Sequence, residues 1–144
     1  MKNISTILIL LARLILGIVL ISASIGKISD PNMFAEAISN YHLIPFGLEN
    51  SLAIVLPWLE LLVGIGLIFG IFVSGSAFLT MLMMVVFIFA ISFAILNGYN
   101  IECGCGLKPG EMIGVGKIIE DIVYLLLAIV VLRRKNRYLE FYPK

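Results

Sequence analysis

Four long apolar stretches dominate the sequence, and they constrain the fold more than any other feature. They run from about Ile7 to Ile25, Leu52 to Phe72, Ser76 to Leu96 and Ile113 to Leu132. Each has the roughly 20 residues that an α-helix needs to cross the hydrocarbon core of a bilayer. Of the 144 residues, 61% are hydrophobic and 13% are charged, whereas a soluble domain carries about 25% charge. We therefore predict an all-α protein, a single four-helix transmembrane domain over residues 1–144.

The first stretch has one alternative interpretation. Lys2, an apolar run and the small residues Ser22, Ala23 and Ser24 also form the pattern of a cleaved signal peptide. Arg13 interrupts the apolar run, which favours a membrane span. The net charge of +1 gives no reason to expect a nucleic-acid partner.

A shorter helix is predicted between the first and second spans. Asp30 followed by Pro31 is typical of a helix start, with Asp as the N-cap and Pro at the first helical position. Apolar residues then recur at helical spacing on one face. They are Met33, Phe34, Ala37, Ile38 and Tyr41. Because this segment is too short to span, we expect it to lie in the membrane interface.

The placement of basic residues predicts the topology. They gather beyond the outer ends of the first and last spans. They are Lys2, Arg133, Arg134, Lys135, Arg137 and Lys144. Basic flanks favour the cytoplasmic side, so both termini of this inner-membrane protein should be cytoplasmic. The loop from Asn97 to Gly110, here called the cysteine loop, then faces the periplasm or exterior, where disulfides persist.

Each predicted span has one face of polar or small residues. Such faces let membrane helices approach closely and form hydrogen bonds across the interface, so we expect them to turn inward. The faces comprise Arg13, Gly17, Leu20, Ser24 and Lys27; Pro57, Glu60, Gly64 and Leu67; Ser76, Thr80, Phe87, Ala90, Ala94 and Asn97; and Gly114, Lys117, Asp121, Tyr124 and Ala128.

Ionisable side chains within spans are costly and require an explanation. Arg13 and Glu60 both fall near the middle of their spans, which predicts an ion pair between them. Glu120 and Asp121 lie in the last span, and we expect Asp121 to meet Lys117, Lys27 or Arg13. A purely structural role in fixing helix register is the alternative for all of these charges.

Lys27 and Lys117 lie near the outer edge of the membrane, where their long stems could let the ammonium groups snorkel towards water. We predict a buried polar cluster that includes Arg13, Glu60 and Lys117.

The only two cysteines form the sequence Cys103-Gly104-Cys105. A disulfide across so short a ring should be strained, and strained disulfides exchange readily. Exchange requires a thiolate, which Lys108 and Lys117 would favour. Glu102 opposes thiolate formation next to Cys103, which makes Cys105 the more nucleophilic candidate.

Free thiols and half of a metal site are the alternatives for this cysteine pair. A metal would need more ligands. His42 is the only histidine, and an interfacial side chain explains it better than a ligand role. We therefore predict no metal site.

Four motifs together resemble the MauE branch of the DoxX-like membrane proteins, over almost the whole chain. They are the pattern from Arg13 to Gly17 with Gly26-Lys27-Ile28, the run from Pro57 to Gly64, Cys103-Gly104-Cys105-Gly106, and Lys117 with Asp121. The family often has an aromatic residue after the second cysteine, where this chain has Gly106-Leu107.

The resemblance implies a redox-associated membrane protein. MauE-type proteins are linked to maturing the disulfide-rich small subunit of methylamine dehydrogenase, and relatives accompany thioredoxin-like periplasmic proteins. By analogy, four-helix thiol oxidases such as DsbB and vitamin K epoxide reductase pass electrons from thiols to a membrane quinone, although a fold analogy does not establish function. On this basis Cys103 and Cys105 are the candidate catalytic residues, with Asp121 as a proton acceptor.

Three functional hypotheses follow. The first is a thiol–disulfide oxidoreductase that exchanges a disulfide with a thioredoxin-like or disulfide-rich partner. The second is a non-catalytic assembly factor. The third is a small transporter subunit, with Arg13, Glu60 and Asp121 along a polar path. Only the first requires the cysteines, although a DsbB-type relay would have a second pair, which this sequence lacks.

Overall fold

The computed structural model describes residues 2–104, 110–134 and 139–141, and the regular secondary structure in these ranges is helical, apart from isolated β-bridge residues such as the Glu102–Met112 pair. The helices are α1 (Lys2–Ser29), α2 (Pro31–Asn40), α3 (Leu48–Phe69), α4 (Val73–Leu96) and α5 (Val115–Leu132). The all-α prediction is confirmed.

Three of the helices in the described ranges, α1, α3 and α4, are long and apolar enough to cross a membrane. The predicted fourth span corresponds to α5, which has 18 residues and includes Lys117, Glu120 and Asp121. Its charge separates it from the other three, so the predicted bundle of four equivalent spans is matched only in part.

The short helix between the first two spans is α2, and it begins as the sequence predicts. The Asp30 side chain accepts a hydrogen bond from the Met33 N–H at 3.0 Å, and Pro31 takes the first position. Phe34 and Ala35 are buried and pack with Ala53 of α3. This helix therefore covers one side of the bundle near the start of α3.

The turn between α3 and α4 lies three residues earlier than predicted. The predicted second and third spans, which end at Phe72 and begin at Ser76, leave a turn at residues 73–75, but α3 ends at Phe69 and α4 begins at Val73. Gly70 ends α3 with a φ of 75°, and Phe72 also lies in the left-handed region with a φ of 49°. Glycine adopts this conformation without a Cβ penalty, which explains why α3 ends there.

The helices pack with their predicted polar and small faces inward. α1 packs most extensively against α3, and α4 against α5. In α1, α3 and α5 the charged members of these faces are buried. Asn97 is an exception, because it is exposed at the end of α4 and its side chain donates to the Phe93 carbonyl at 2.8 Å.

Two glycines set the closest approach of α1 and α3. A Cβ built on Gly64 would lie 3.0 Å from the Gly17 carbonyl oxygen and 2.8 Å from Ile21 Cγ1. A Cβ built on Gly17 would lie 3.0 Å from the Gly64 carbonyl oxygen. Small residues permit this kind of backbone contact between membrane helices. The pair therefore fixes the antiparallel register of α1 and α3.

That register shows that the predicted Arg13–Glu60 ion pair is wrong. Glu60 precedes Gly64 by one turn, so in the antiparallel pair it lies level with residues after Gly17. Its carboxylate pairs with Lys27, with 2.7 Å between Nζ and Oε1. The prediction judged the membrane depth of each charged residue from the middle of its apolar run. In the structure α1 extends to Ser29, and Lys27 therefore lies in the same layer as Glu60.

Arg13 instead makes its hydrogen bonds at the opposite end of the bundle. Its Nε donates to the Leu67 carbonyl at 3.1 Å, and its Nη2 donates to the Leu139 carbonyl at 3.3 Å. The Phe141 N–H donates to the Gly70 carbonyl at 2.9 Å. Arg13 therefore ties the segment 139–141 to the α3–α4 turn.

We predict that Gly64→Ala destabilises the protein, although alanine is the better helix former by about 1 kcal/mol. The added methyl would press on the backbone of α1, and overpacking of this kind typically costs about 1–3 kcal/mol. Thermal unfolding in detergent measures the effect. Gly75→Ala is the matched control, because a Cβ at Gly75 meets nothing within 4 Å. Equal melting temperatures for the two variants would contradict the close approach.

We also predict energetic coupling between Lys27 and Glu60. Glu60→Gln leaves a buried ammonium without its partner, which costs about 3–5 kcal/mol in soluble proteins. The double change Lys27→Met with Glu60→Met should recover most of that loss, whereas Arg13→Met with Glu60→Met should not. A double-mutant cycle on unfolding free energies measures the coupling. Additive effects of the Lys27 and Glu60 changes would show that the pair contributes nothing to folding.

Candidate functional site

The two arms of the cysteine loop are held together by backbone hydrogen bonds. The Cys103 N–H donates to the Glu111 carbonyl at 2.7 Å, and the Ile113 N–H donates to the Ile101 carbonyl at 3.0 Å. An antiparallel bridge joins Glu102 and Met112 between them. This closure fixes where the loop leaves and re-enters the helices.

Cys103 is disulfide-bonded and buried, with 7% of its surface exposed. The second predicted cysteine, Cys105, lies outside the described residues, as does Lys108. The same holds for three of the basic residues used to predict topology, Lys135, Arg137 and Lys144.

The loop rests on the end of α2. The Tyr41 hydroxyl donates to the Cys103 carbonyl at 2.9 Å. Burial, reinforced by the negative charge of Asp121, raises the pKa of Tyr41 to about 12. The tyrosine therefore remains protonated, and remains a donor, throughout the physiological pH range.

Gly104 makes the close contact with α2. It has a φ of +68°, and a Cβ built there would lie 2.9 Å from the Ala37 Cβ. Both the conformation and the space therefore require glycine between the two cysteines.

His42 makes an aromatic contact in the same region. Its ring makes an edge contact with the Tyr99 ring, with 5.2 Å between centroids. Within the described ranges, no three His, Cys, Asp or Glu side chains gather where they could hold a metal ion.

A cavity of about 340 Å³ lies beneath the cysteine loop. Its walls are mostly apolar and come from α1, α2, α3, α4 and α5. Cys103 and Gly104 form part of its lining. The charged groups that line it are Lys27, Glu60, Lys117 and Asp121. Apolar walls with a few convergent polar groups are typical of ligand sites.

Lys27 is enclosed by one carboxylate and two aromatic rings. Its Nζ lies 2.7 Å from Glu60 Oε1, 5.0 Å from the Phe34 ring centroid and 5.3 Å from the Phe87 ring centroid. Lys27 is 4% exposed and Glu60 is 1% exposed. The predicted snorkelling of Lys27 towards water is therefore wrong, because an internal carboxylate and cation–π contacts hold the ammonium inside.

Lys117 is likewise buried rather than snorkelling. Its Nζ bonds to Glu120 Oε2 at 2.9 Å and lies 3.9 Å from Glu111 Oε2. The Tyr124 hydroxyl donates to the other Glu120 oxygen at 2.9 Å. Among the described residues, Lys117 therefore pairs with Glu120 and Glu111 rather than with Asp121.

Two of the carboxylates that line the cavity each have one oxygen without a partner among the described residues. Glu60 Oε2 and Asp121 Oδ2 are fully enclosed and find no hydrogen-bond partner among the described residues. Leaving a buried acceptor unsatisfied costs about 1–3 kcal/mol, so each such group needs an explanation.

The structure brings together most of the predicted site residues. Cys103, Glu60, Lys117 and Asp121 line one cavity, whereas Arg13 lies at the other end of the bundle. The hydrogen bond from Tyr41 to the loop was not predicted, because in the sequence Tyr41 is only part of the apolar face of α2. The contacts of Phe34 and Phe87 with Lys27 were not predicted either, because aromatic contacts across helices leave no local pattern.

Known proteins resemble this chain over most of its length. A family model described as methylamine utilisation protein MauE matches residues 5–134. The methylamine utilization protein MauE of Methylophilus methylotrophus is 33% identical over 106 residues, which make up 73% of this chain and 56% of that protein. The protein of the same name from Methylorubrum extorquens is 34% identical over 94 residues, or 65% of this chain and 50% of that protein.

A third MauE protein, from Paracoccus denitrificans, is 28% identical over 100 residues. The chain spans about half the length of the curated relatives it matches. No solved structure matches it. The predicted resemblance to MauE is confirmed, while the placement within a wider DoxX-like group stays a prediction. Because the family model covers nearly all of the sequence, this chain belongs to the MauE family of membrane proteins.

Proposed function

We propose that the chain is a membrane thiol–disulfide oxidoreductase that exchanges a Cys103–Cys105 disulfide with a thioredoxin-like or disulfide-rich protein outside the cytoplasm. The observation that supports this most is the placement of Cys103. It is disulfide-bonded, lies in the wall of a cavity that contains buried charges, and belongs to a loop anchored by Tyr41.

The two cysteines have different roles in the exchange step. Because Cys103 is 7% exposed, we assign Cys105 as the sulfur that the partner reaches. A thiolate of the partner attacks the Cys105 sulfur, the intramolecular S–S bond breaks, and Cys103 leaves as a thiolate. The second thiol of the partner, once deprotonated, attacks the mixed disulfide. The partner leaves with a disulfide, and the chain keeps a dithiol.

Regenerating the disulfide requires an acceptor for two electrons and two protons. A membrane quinone, when bound, would supply that chemistry. Cys103 borders the cavity, so it is the cysteine nearer to the place where a quinone would accept electrons from the dithiol. Asp121 lines the same cavity and has an unpaired oxygen, so it is the proposed acceptor for a proton released by the dithiol.

The names of the relatives suggest a biological setting. All three are named methylamine utilization proteins, and we propose a supporting role in that process, with a disulfide-rich component as the exchange partner. This chain spans about half of each relative, and the proposal of a thioredoxin-like partner rests on the cysteine chemistry.

The proposed orientation places both termini in the cytoplasm of a bacterial inner membrane. The cysteine loop packs against α2 at one end of the bundle, while residues 139–141 pack against the α3–α4 turn at the other. The basic residues after α5, including Arg133 and Arg134, favour the cytoplasm for this second end.

We predict that a membrane-impermeant maleimide labels the native cysteines from the exterior after reduction. The control is Gly75→Cys in a chain with both native cysteines changed to serine, because Gly75 is exposed at the α3–α4 end. That site should be labelled only when the cytoplasmic side is opened to the reagent. Labelling of the native cysteines from the cytoplasm alone would reject both the orientation and exchange at the exterior.

We predict that Cys103→Ser and Cys105→Ser each abolish oxidation of a reduced thioredoxin-like protein by membranes that contain the chain. Only Cys103→Ser should accumulate a reducible covalent adduct in cells, because its remaining thiol is the one that partners reach. Non-reducing gels and mass spectrometry identify the adduct.

Asn100→Ser is the matched control, since Asn100 is an exposed position in the same loop, and it should keep full activity. Full activity in the variant without either cysteine would reject the redox mechanism and favour the assembly-factor hypothesis.

A further inference from the structure

We infer that the cavity beneath the cysteine loop binds the ring of a membrane hydroquinone, and that it binds this reduced form more tightly than the oxidised quinone. The inference rests on the proposed function, which requires an electron carrier, and it assigns the place, the contacts and the redox preference of that carrier.

The two unpaired oxygens indicate the chemistry of the ligand. Glu60 Oε2 and Asp121 Oδ2 are acceptors, and both residues line the cavity. Their side chains are at least nine-tenths buried, with 1% and 5% exposed. A ligand that satisfies them must donate hydrogen bonds. The hydroxyl groups of a hydroquinone donate, whereas the carbonyl groups of a quinone only accept.

The cations in the cavity do not reverse this preference. Lys27 is held by Glu60 Oε1 and two aromatic rings, and Lys117 is held by Glu120. Both ammonium groups therefore already have partners. An oxidised quinone would have to compete for them and would leave the two carboxylate oxygens unsatisfied.

The walls of the cavity suit a ligand that arrives from the bilayer. Val86 and Phe89 of α4 line it and are 54% and 64% exposed. Exposed apolar residues in the cavity wall would provide an apolar path for an isoprenoid chain. At about 340 Å³, the cavity volume falls within the range of about 300–1,000 Å³ for small-molecule sites.

Tighter binding of the reduced form would affect the adjacent disulfide. Formation of the Cys103–Cys105 bond would release two electrons and two protons, which convert the quinone to hydroquinone. Tighter binding of the reduced form makes the bound quinone a stronger oxidant, and so favours disulfide formation in the chain.

The test measures binding of decylubiquinol and decylubiquinone to the full chain in lipid nanodiscs, with empty nanodiscs as the reference. Both cysteines are changed to serine so that the ligand keeps its redox state. We expect decylubiquinol to bind roughly tenfold more tightly, as one charge-assisted hydrogen bond would provide. Asp121→Leu should weaken decylubiquinol binding about tenfold and change decylubiquinone binding less than about twofold.

Two further variants sharpen the result. Glu36→Gln is the control, because Glu36 is an exposed carboxylate on α2, and it should bind both forms normally. The double change Lys27→Met with Glu60→Met removes the other acceptor without leaving an isolated charge, and it should also lose the preference for decylubiquinol.

Several outcomes would overturn the inference. They are no retention above empty nanodiscs, equal affinity for the two redox forms, no effect of Asp121→Leu, and displacement of decylubiquinol by equimolar phosphatidylglycerol, a lipid whose hydroxyl groups could supply the same donors. Selective binding without thiol exchange in the native chain would reject the proposed function alone, whereas exchange without binding would reject this inference alone.

Discussion

The Lys27–Glu60 ion pair is the interaction on which the site depends. Two opposite charges 2.7 Å apart in an apolar bundle stabilise each other, and removing either one would leave the other without compensation. The pair joins α1 to α3 just below the cysteine loop. It uses one of the two Glu60 oxygens, and the other oxygen of this cavity-lining residue has no hydrogen-bond partner among the described residues.

The packing of α1 against α3 explains why the cavity lies at one end of the bundle. At the level of Gly17 and Gly64 the two backbones are in contact and leave no room for a ligand. Below that level, Arg13 fills the space and binds the carbonyls of Leu67 and Leu139. Above it lie larger side chains and the covering helix α2, and the cavity of about 340 Å³ is found between them. One end of the bundle is therefore closed by hydrogen bonds, while the other can receive a ligand.

The sequence predicted the helices and their inward faces well, because apolar runs and the spacing of polar residues are local patterns. The capping of α2 by Asp30 was predictable for the same reason. The contacts between side chains of different helices were not predictable from the sequence. The pairing of Glu60 with Lys27 depends on a register set by Gly17 and Gly64, and the bond from Tyr41 to the Cys103 carbonyl depends on how a loop folds over α2. Such contacts join residues that are distant in the chain, and no periodicity encodes their depth.

The charges of α5 are explained by their pairing with one another and by their position beside the cavity. A helix with Lys117, Glu120 and Asp121 within five positions would be costly if it faced lipid on all sides. In the structure, Lys117 and Glu120 compensate each other, and Tyr124 satisfies the second oxygen of Glu120. Asp121 is the one member of this group with an unpaired buried oxygen, and it lines the cavity beside Cys103. A purely structural set of charges would be expected to satisfy all its members. The unpaired Asp121 oxygen therefore supports the proposed ligand or proton role of this residue.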